Sequence, residues 1–120
     1  METKTNTIYT IDARGKKLGR IATEAASVLM GKHTAAYSRN KTGTCAVIIE
    51  NAKEMDIANK KQTEKKYFRY SGYPGGLKEE CMEEIIRKKG YSEVLKRAIT
   101  GMLPKNKLQK QMLAKLIINE

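Results

Sequence analysis

Residues 65–78 combine two kinds of side chain that bind nucleic acids. One kind is cationic, and the other carries a flat aromatic ring. The stretch reads KKYFRYSGYPGGLK, with four of the chain's seven aromatic residues, three glycines, four positive charges and no acid. Cations attract phosphate, rings stack on bases or sugars, and glycines let the backbone come close to a ligand. The stretch therefore predicts a surface that lies on RNA. The alternative is a plain hairpin whose rings cap the core and whose lysines are only solvated.

Few other side chains have the types or spacing that catalysis or metal binding needs. His33 is the single histidine, and its nearest charged neighbour is Lys32, so no carboxylate orients it as a base. Cys45 and Cys81 lie far apart in sequence and have no cysteine or histidine partner at metal-ligand spacing. Both are predicted to be buried thiols, which fits a reducing compartment. The sequence therefore predicts no enzyme activity, no metal and no other cofactor.

The charge balance points to a polyanionic partner. The chain has 24 Lys and Arg against 13 Asp and Glu, a net charge of +11 and a pI near 9.7. Such an excess favours nucleic acid first and an acidic membrane surface second. The membrane alternative lacks support, because the longest unbroken apolar run, Cys45–Ile49, is far too short to span a bilayer. Residues 1–6 resemble neither a signal peptide nor a presequence, so we expect an intracellular protein, although a cleaved organellar presequence would leave no trace.

The first half of the chain has the periodicities of strand, helix and strand. Residues 8–11 alternate as a strand does, and apolar residues at helical spacing from Leu18 to Leu29 predict a helix that ends at Gly31. The nearly all-apolar run 45–50 predicts a strand buried on both faces, as in the middle of a parallel sheet. The basic turn at 13–20 matches neither the dinucleotide fingerprint nor the phosphate loop, so a bound nucleotide is not expected.

The second half is predicted to hold a weak strand at 55–58, three helices and a last strand at 116–118. The first of these helices has acids early and bases late, as the helix dipole favours, so its glutamates need no acid–base role. Those glutamates are Glu79, Glu80, Glu83 and Glu84, and the predicted buried face is Leu77, Cys81, Met82, Ile85 and Ile86. Ser92 and Asn106 are expected to cap the other two helices. This order predicts an α/β fold with a small, mostly parallel sheet, and residues 1–120 are expected to form a single domain.

Several separated motifs resemble one family, large-subunit ribosomal protein L13 of bacterial or organellar type. The resemblance runs from about Ile8 to Ile118, and its most specific blocks are GYPGGLK at 72–78 and GMLPKN at 101–106. The other motifs are IDA at 11–13, LGRIA at 18–22 and GKH at 31–33. The chain departs from the residues usual in the family at 43–44, at 58–61 and at Tyr70, and it ends at Glu120 without the Gly- and His-containing tail that members commonly carry.

The resemblance implies a three-layer α/β/α fold with a small, mostly parallel four-stranded sheet. It also implies a structural and assembly role on the cytoplasmic ribosome, without catalysis, with an organellar ribosome as the alternative. The expected partners are large-subunit rRNA and neighbouring large-subunit ribosomal proteins, with no membrane and no small-molecule substrate. The alternative functions are an RNA-binding translational regulator acting off the ribosome and a small nucleotide-binding enzyme. The enzyme would need a phosphate loop and a converging base or metal site.

The candidate RNA-binding residues lie on polar, basic segments that a compact core would hold in place. Those expected to contact phosphate or sugar are Lys32, Arg39, Lys41, Lys60, Lys61, Lys65, Lys66, Arg69, Lys78, Arg97, Lys105, Asn106, Lys107 and Lys110. Those expected to stack on bases or to hydrogen-bond the 2′-OH are Tyr67, Tyr70 and Tyr73. Because residues 67–78 have few aliphatic anchors and several glycines, we expect this stretch to be poorly fixed until RNA binds.

Overall fold

The computed structural model describes residues 7–32, 35 and 45–120. Their strands are β1 (Thr7–Asp12), β2 (Cys45–Glu50), β3 (Lys66–Tyr70), β4 (Leu77–Cys81) and β5 (Leu116–Ile118). Their α-helices are α1 (Leu18–Met30), α2 (Asn59–Glu64), α3 (Met82–Lys89), α4 (Tyr91–Met102) and α5 (Leu108–Ala114), and a 3-10 turn spans Ala52–Glu54. None of the helices within these ranges is long and apolar enough to cross a membrane.

A parallel sheet with strand order β1-β2-β5 carries the core. Tyr9 pairs with Val47, and Val47 pairs with Leu116, so β2 is the central strand. The predicted strands at 8–11, 45–50 and 116–118 are thereby confirmed, and so is the α/β class. A second, antiparallel sheet consists of β3 and β4 alone.

Helix α1 packs its apolar stripe on one face of the parallel sheet. Leu18, Ile21 and Leu29 are buried, as their helical spacing predicted. The helix ends where expected, because Gly31 takes a left-handed conformation with φ of 82° and its N–H donates back to the last turn. Helix α4 packs against α1 and adds the buried side chains of Val94, Leu95 and Ile99.

The prediction that β2 is buried on both faces is wrong. Val47 and Ile49 are fully buried, whereas Ala46 and Ile48 are only half-buried. Ile48 pairs with Ile117, and paired residues of parallel strands share a face. Ile117 is 51% exposed, so the helices of the described residues leave this face of the sheet largely open.

The fourth strand and the third layer are not found among the described residues. Residues 55–58 form a single parallel bridge, from Asp56 to Lys17, in place of a weak strand. In that bridge, Asp56 N donates to Lys16 O at 3.0 Å. The parallel sheet therefore has three strands in the part of the chain that the structure describes.

The first predicted helix of the second half begins later than expected. Residues 77–81 form strand β4, so Leu77 is 60% exposed and Cys81 is half-buried at the strand end, neither lying on a helix. Helix α3 starts at Met82, with Glu83 and Glu84 in its first turn. The predicted buried positions Met82 and Ile85 are confirmed, and Ile86 is half-buried. Pairing with β3 therefore overrides the helical pattern of the glutamates over residues 79–80.

One helix and one helix cap differ from expectation, whereas a second cap agrees with it. Helix α2 was not predicted, because its sequence NKKQTE has no apolar stripe. Ser92 does not cap α4 with its side chain; its N–H donates to Glu120 Oε1 at 3.0 Å. Asn106 does cap α5, since its Oδ1 accepts from Leu108 N at 3.0 Å.

Candidate nucleic-acid interface

Strands β3 and β4 form a hairpin that carries most of the basic aromatic stretch. The connection between them turns at Gly72 and Gly75, with φ of 90° and 75°, which L-residues other than glycine rarely adopt. Gly76 N donates to Tyr73 O at 2.9 Å and closes the tip. At the base of the hairpin, Met82 N donates to Lys65 O at 2.9 Å. The backbone of the hairpin is therefore hydrogen-bonded at both ends without RNA.

The hairpin register places like charges directly opposite each other. Arg69 pairs with Lys78, both side chains are exposed, and neither forms an ion pair within the described residues. Like charges at opposed positions of an antiparallel pair are destabilising. A bound anion would relieve that repulsion, so this pair is suited to a phosphate.

Tyr67 joins the hairpin to α4. Its ring is half-buried and lies 5.2 Å from the guanidinium carbon of Arg97 and 5.7 Å from Lys65 Nζ, within cation–π range. Burial raises the pKa of the Tyr67 hydroxyl, while Arg97 works in the opposite direction. Arg97 Nε also donates to Glu93 Oε1 at 3.2 Å. Tyr67 and Arg97, both predicted RNA contacts, thus hold the hairpin against the body of the protein.

Lys66 has an acidic partner on the neighbouring strand. Its Nζ lies 2.7 Å from Glu79 Oε1, and this hydrogen bond and charge raise the pKa of Lys66. The pair is exposed to solvent, so its contribution to stability is small. Of the predicted phosphate contacts on the hairpin strands, Arg69 and Lys78 are therefore better placed than Lys66.

A second basic site lies between α4 and α5. It is an open cleft of about 620 Å³ lined by Lys96, Asn106, Lys107, Gln109, Lys110, Leu113 and Ala114. A smaller cavity of about 270 Å³ adjoins it and shares Lys96 and Leu113. The three lysines are exposed and make no ion pair within the described ranges. Gln109 Nε2 donates to Thr100 O at 2.8 Å and ties the two helices together.

Sequence reasoning missed Lys96. The signal that could have found it is the absence of acids from Lys96 to Asn119, which leaves every charge there positive. Lys96 and Arg97 are adjacent on α4, and successive helical residues point in different directions. Lys96 therefore lines the cleft beside α5, whereas Arg97 contacts the hairpin ring.

The other predicted RNA contacts are spread over the surface. Lys60 and Lys61 are exposed on α2, Lys105 is exposed before α5, and Lys32 is exposed just after α1. Tyr70 and Tyr73 are exposed on the hairpin, by 64% and 75%. Arg39, Lys41 and the single histidine lie outside the described residues.

The basic turn after β1 is occupied by internal contacts. Arg14 pairs with Glu54, and Lys17 Nζ lies 2.5 Å from Asp56 Oδ2. Glu54 ends the 3-10 turn and Asp56 follows it, and both acids neutralise cations that a phosphate-binding turn would need. Among the described residues, no group of three or more His, Cys, Asp or Glu side chains is arranged to hold a metal ion.

Comparison with known proteins identifies one family. The family model described as "Ribosomal protein L13" matches residues 6–120. "Large ribosomal subunit protein uL13" of Syntrophotalea carbinolica is 44% identical over 108 residues, covering 90% of this chain and 75% of that protein. The protein of the same name from Clostridioides difficile has the same identity and coverage. That from Dehalococcoides mccartyi is 41% identical over 112 residues, covering 93% and 78%.

Proposed function

The chain belongs to the ribosomal protein L13 family and is a structural constituent of the large ribosomal subunit, and we propose that it holds the large-subunit RNA through the hairpin and the α4–α5 cleft. The family is structural, so the protein is not an enzyme, and the nucleotide-binding alternative is not favoured. Its place is the cytoplasmic ribosome, among large-subunit RNA and neighbouring ribosomal proteins.

The observation that carries the RNA-binding assignment is the opposition of Arg69 and Lys78 on the hairpin. The fold keeps two exposed cations side by side with no acid paired to either within the described part of the chain. Folding alone gains nothing from that arrangement, because like charges in register repel. A phosphate between them converts the repulsion into two charge-assisted hydrogen bonds.

The cleft supplies a second set of phosphate contacts on the other side of α4. Lys96, Lys107 and Lys110 line one concave surface, which can follow an RNA backbone. Lys105 stands just before α5 and extends this basic surface. Lys60 and Lys61 on α2 and Lys32 just after α1 are proposed as further contacts. Arg39 and Lys41, which lie outside the described residues, are proposed as contacts on the strength of the sequence.

Two finer features of the fold belong to the same proposal. We propose that residues 55–58 complete a fourth parallel strand when the protein is bound in the subunit, extending the bridge from Asp56 to Lys17. One cluster of buried side chains, which runs from Ile11 to Met112, supports the proposal that residues 1–120 act as a single domain.

The test is the salt dependence of binding to the large-subunit RNA fragment and co-sedimentation with large subunits. Replacing Arg69 and Lys78 by Gln should weaken binding and lower the slope of log affinity against log salt by about 0.7–0.9, the contribution of the one phosphate held between them. Replacing Arg20 and Lys53 by Gln removes the same charge from exposed positions elsewhere and is the matched control. Equal effects of the two pairs would show that only net charge matters and would contradict the assignment.

A further inference from the structure

The two faces of the hairpin have different chemistry. Register places Tyr67, Arg69, Lys78 and Glu80 on one face and Phe68, Tyr70, Leu77 and Glu79 on the other. Tyr67 turns the first face toward α4, where Arg97 contacts its ring. The second face therefore points away from the body of the protein.

This outer face is apolar and open. Phe68, Tyr70 and Leu77 are 66%, 64% and 60% exposed, and Tyr70 lies directly opposite Leu77. Rings on a structural hairpin would instead be packed, as the half-buried Tyr67 is on the inner face. Two neighbouring exposed rings and a leucine offer a flat surface to a flat ligand.

The charges on the outer face already neutralise each other. Lys66 and Glu79, which stand on this face at the base of the hairpin, form an ion pair of 2.7 Å. No cation is left there for phosphate among the described residues, whereas the inner face has the opposed Arg69 and Lys78. Phosphates and bases are thus suited to opposite sides of the same hairpin.

We propose that the hairpin inserts between segments of RNA, with phosphates on its Arg69–Lys78 face and unpaired bases stacked on Phe68 and Tyr70. The proposal rests on the RNA-binding function proposed above and specifies its ligand: unstacked bases of single-stranded RNA. Side chains of adjacent strand residues point to opposite sides, so RNA that lies against one side only cannot use both sets. Paired bases inside a duplex present only their edges, so they cannot stack on these rings.

The experiment compares two double variants of the full chain on two probes. One variant is Phe68→Leu with Tyr70→Leu, which removes the rings but keeps apolar bulk at exposed strand positions. The other is Arg69→Gln with Lys78→Gln. The probes are a short single-stranded oligouridine and an RNA duplex of the same length, with binding followed by fluorescence anisotropy over a series of salt concentrations, and folding followed by thermal denaturation.

The ring variant should bind oligouridine at least about tenfold more weakly, because each base stacked on a ring contributes substantially to affinity. Its affinity for the duplex and its salt slope on both probes should be unchanged. The charge variant should bind both probes more weakly with a lower slope. This separation of effects would be the signature of a hairpin with one face for bases and one for phosphates.

Each contrary result has its own meaning. If the ring variant binds oligouridine as tightly as the unchanged protein while the charge variant is impaired, RNA binding stands and the stacking face is wrong. If the ring variant keeps its RNA affinity but no longer co-sediments with large subunits, the outer face docks a protein, and the inference is overturned. If neither variant alters binding to either probe, the RNA-binding role of the hairpin fails as well.

Discussion

The ring of Tyr67 and the guanidinium of Arg97 lie 5.2 Å apart, and this contact sets the direction of the hairpin relative to α4. Lys65 approaches the same ring at 5.7 Å, so the ring lies within reach of two cations at the base of β3. Glu93 fixes Arg97 in turn, one helical turn earlier on α4. The exposed outer part of the hairpin is thus positioned by a small polar cluster at its base.

Replacing Arg97 by Met should loosen this attachment. The loss of a cation–π contact and of a partly exposed helical ion pair should lower the free energy of unfolding by about 1 kcal/mol. RNA affinity should fall as well, because the hairpin is less well oriented. Urea denaturation and the RNA titration measure the two effects.

The neighbouring Lys96→Met is the matched control for that change. It removes the same charge from the cleft but no contact to the hairpin, so RNA affinity should fall while stability stays within about 0.5 kcal/mol. A stability loss equal to that of Arg97→Met would show that the Tyr67 contact is not what holds the hairpin.

Gly76→Ala should distort the tip of the hairpin. An added Cβ would lie 2.0 Å from Ser71 Oγ and 2.9 Å from Tyr73 O, and the second of these is backbone. The tip must therefore shift, which should cost about 1–3 kcal/mol of stability and weaken RNA binding. Gly19→Ala is the control, because nothing lies within 4 Å of its added Cβ in the first turn of α1, and alanine there should raise stability by no more than about 1 kcal/mol. Equal stability changes in the two variants would contradict the tight tip.

The carboxylate of Asp12 should make stability pH-dependent at the end of β1. Arg14 N and Asn51 Nδ2 donate to Asp12 Oδ1 at 3.0 and 3.1 Å, and these bonds lower the pKa of Asp12. Because the pKa is lower in the folded state, the ionised carboxylate stabilises the protein at pH values above its unfolded-state pKa of about 4. That contribution is lost as pH falls through the folded-state pKa. The stability difference between the unchanged protein and Asp12→Asn, measured by urea denaturation, should therefore shrink as pH falls below about 4. A difference that grows on acidification would have the wrong sign.

An aspartate introduced at two neighbouring positions of β2 should lower stability by unequal amounts. Val47 is fully buried under the helices, so Val47→Asp should unfold the domain. The buried charge costs several kcal/mol, against a total free energy of unfolding of roughly 5–15 kcal/mol. Ile48 faces the open side of the sheet and is only half-buried, so Ile48→Asp should be clearly less destabilising. Circular dichroism of the two variants measures the contrast. Equal unfolding would mean that the face of Ile48 is covered too.

Elements defined by local periodicity could be predicted from the sequence, and elements defined by pairing could not. Helix α1 repeats its apolar residues at helical spacing and ends at a glycine, so both its span and its cap were evident. Strand β4 reads LKEEC, which has little strand propensity, and its conformation is set by hydrogen bonds to β3 that no local pattern encodes. The half-burial of Ile48 depends on which face of the sheet the helices cover.

The candidate site shows the same division. Composition alone marked residues 65–78 as basic and aromatic, but register decides that Arg69 lies opposite Lys78 while Phe68 and Tyr70 turn outward. Nothing in the sequence distinguishes Lys96 from a solvated lysine. Its position in the cleft follows from the packing of α5 beside α4. Charge and ring content therefore predict the kind of ligand, whereas the individual residues that we propose as contacts depend on tertiary contacts.

The hairpin should be only loosely ordered before RNA binds. The antiparallel ladder gives β3 and β4 backbone partners, but a two-stranded hairpin with exposed rings is of marginal stability. Amide hydrogen exchange of the free protein should therefore be fast at 71–76, intermediate at 66–70, and slowest at Val47 and Ile49 in the core. On binding the RNA fragment, 66–76 should become strongly protected, because phosphates relieve the Arg69–Lys78 repulsion and bases cover the rings. If 66–76 exchanges as slowly as β2 without RNA, the hairpin is a rigid part of the core, and ordering on binding plays no part in recognition.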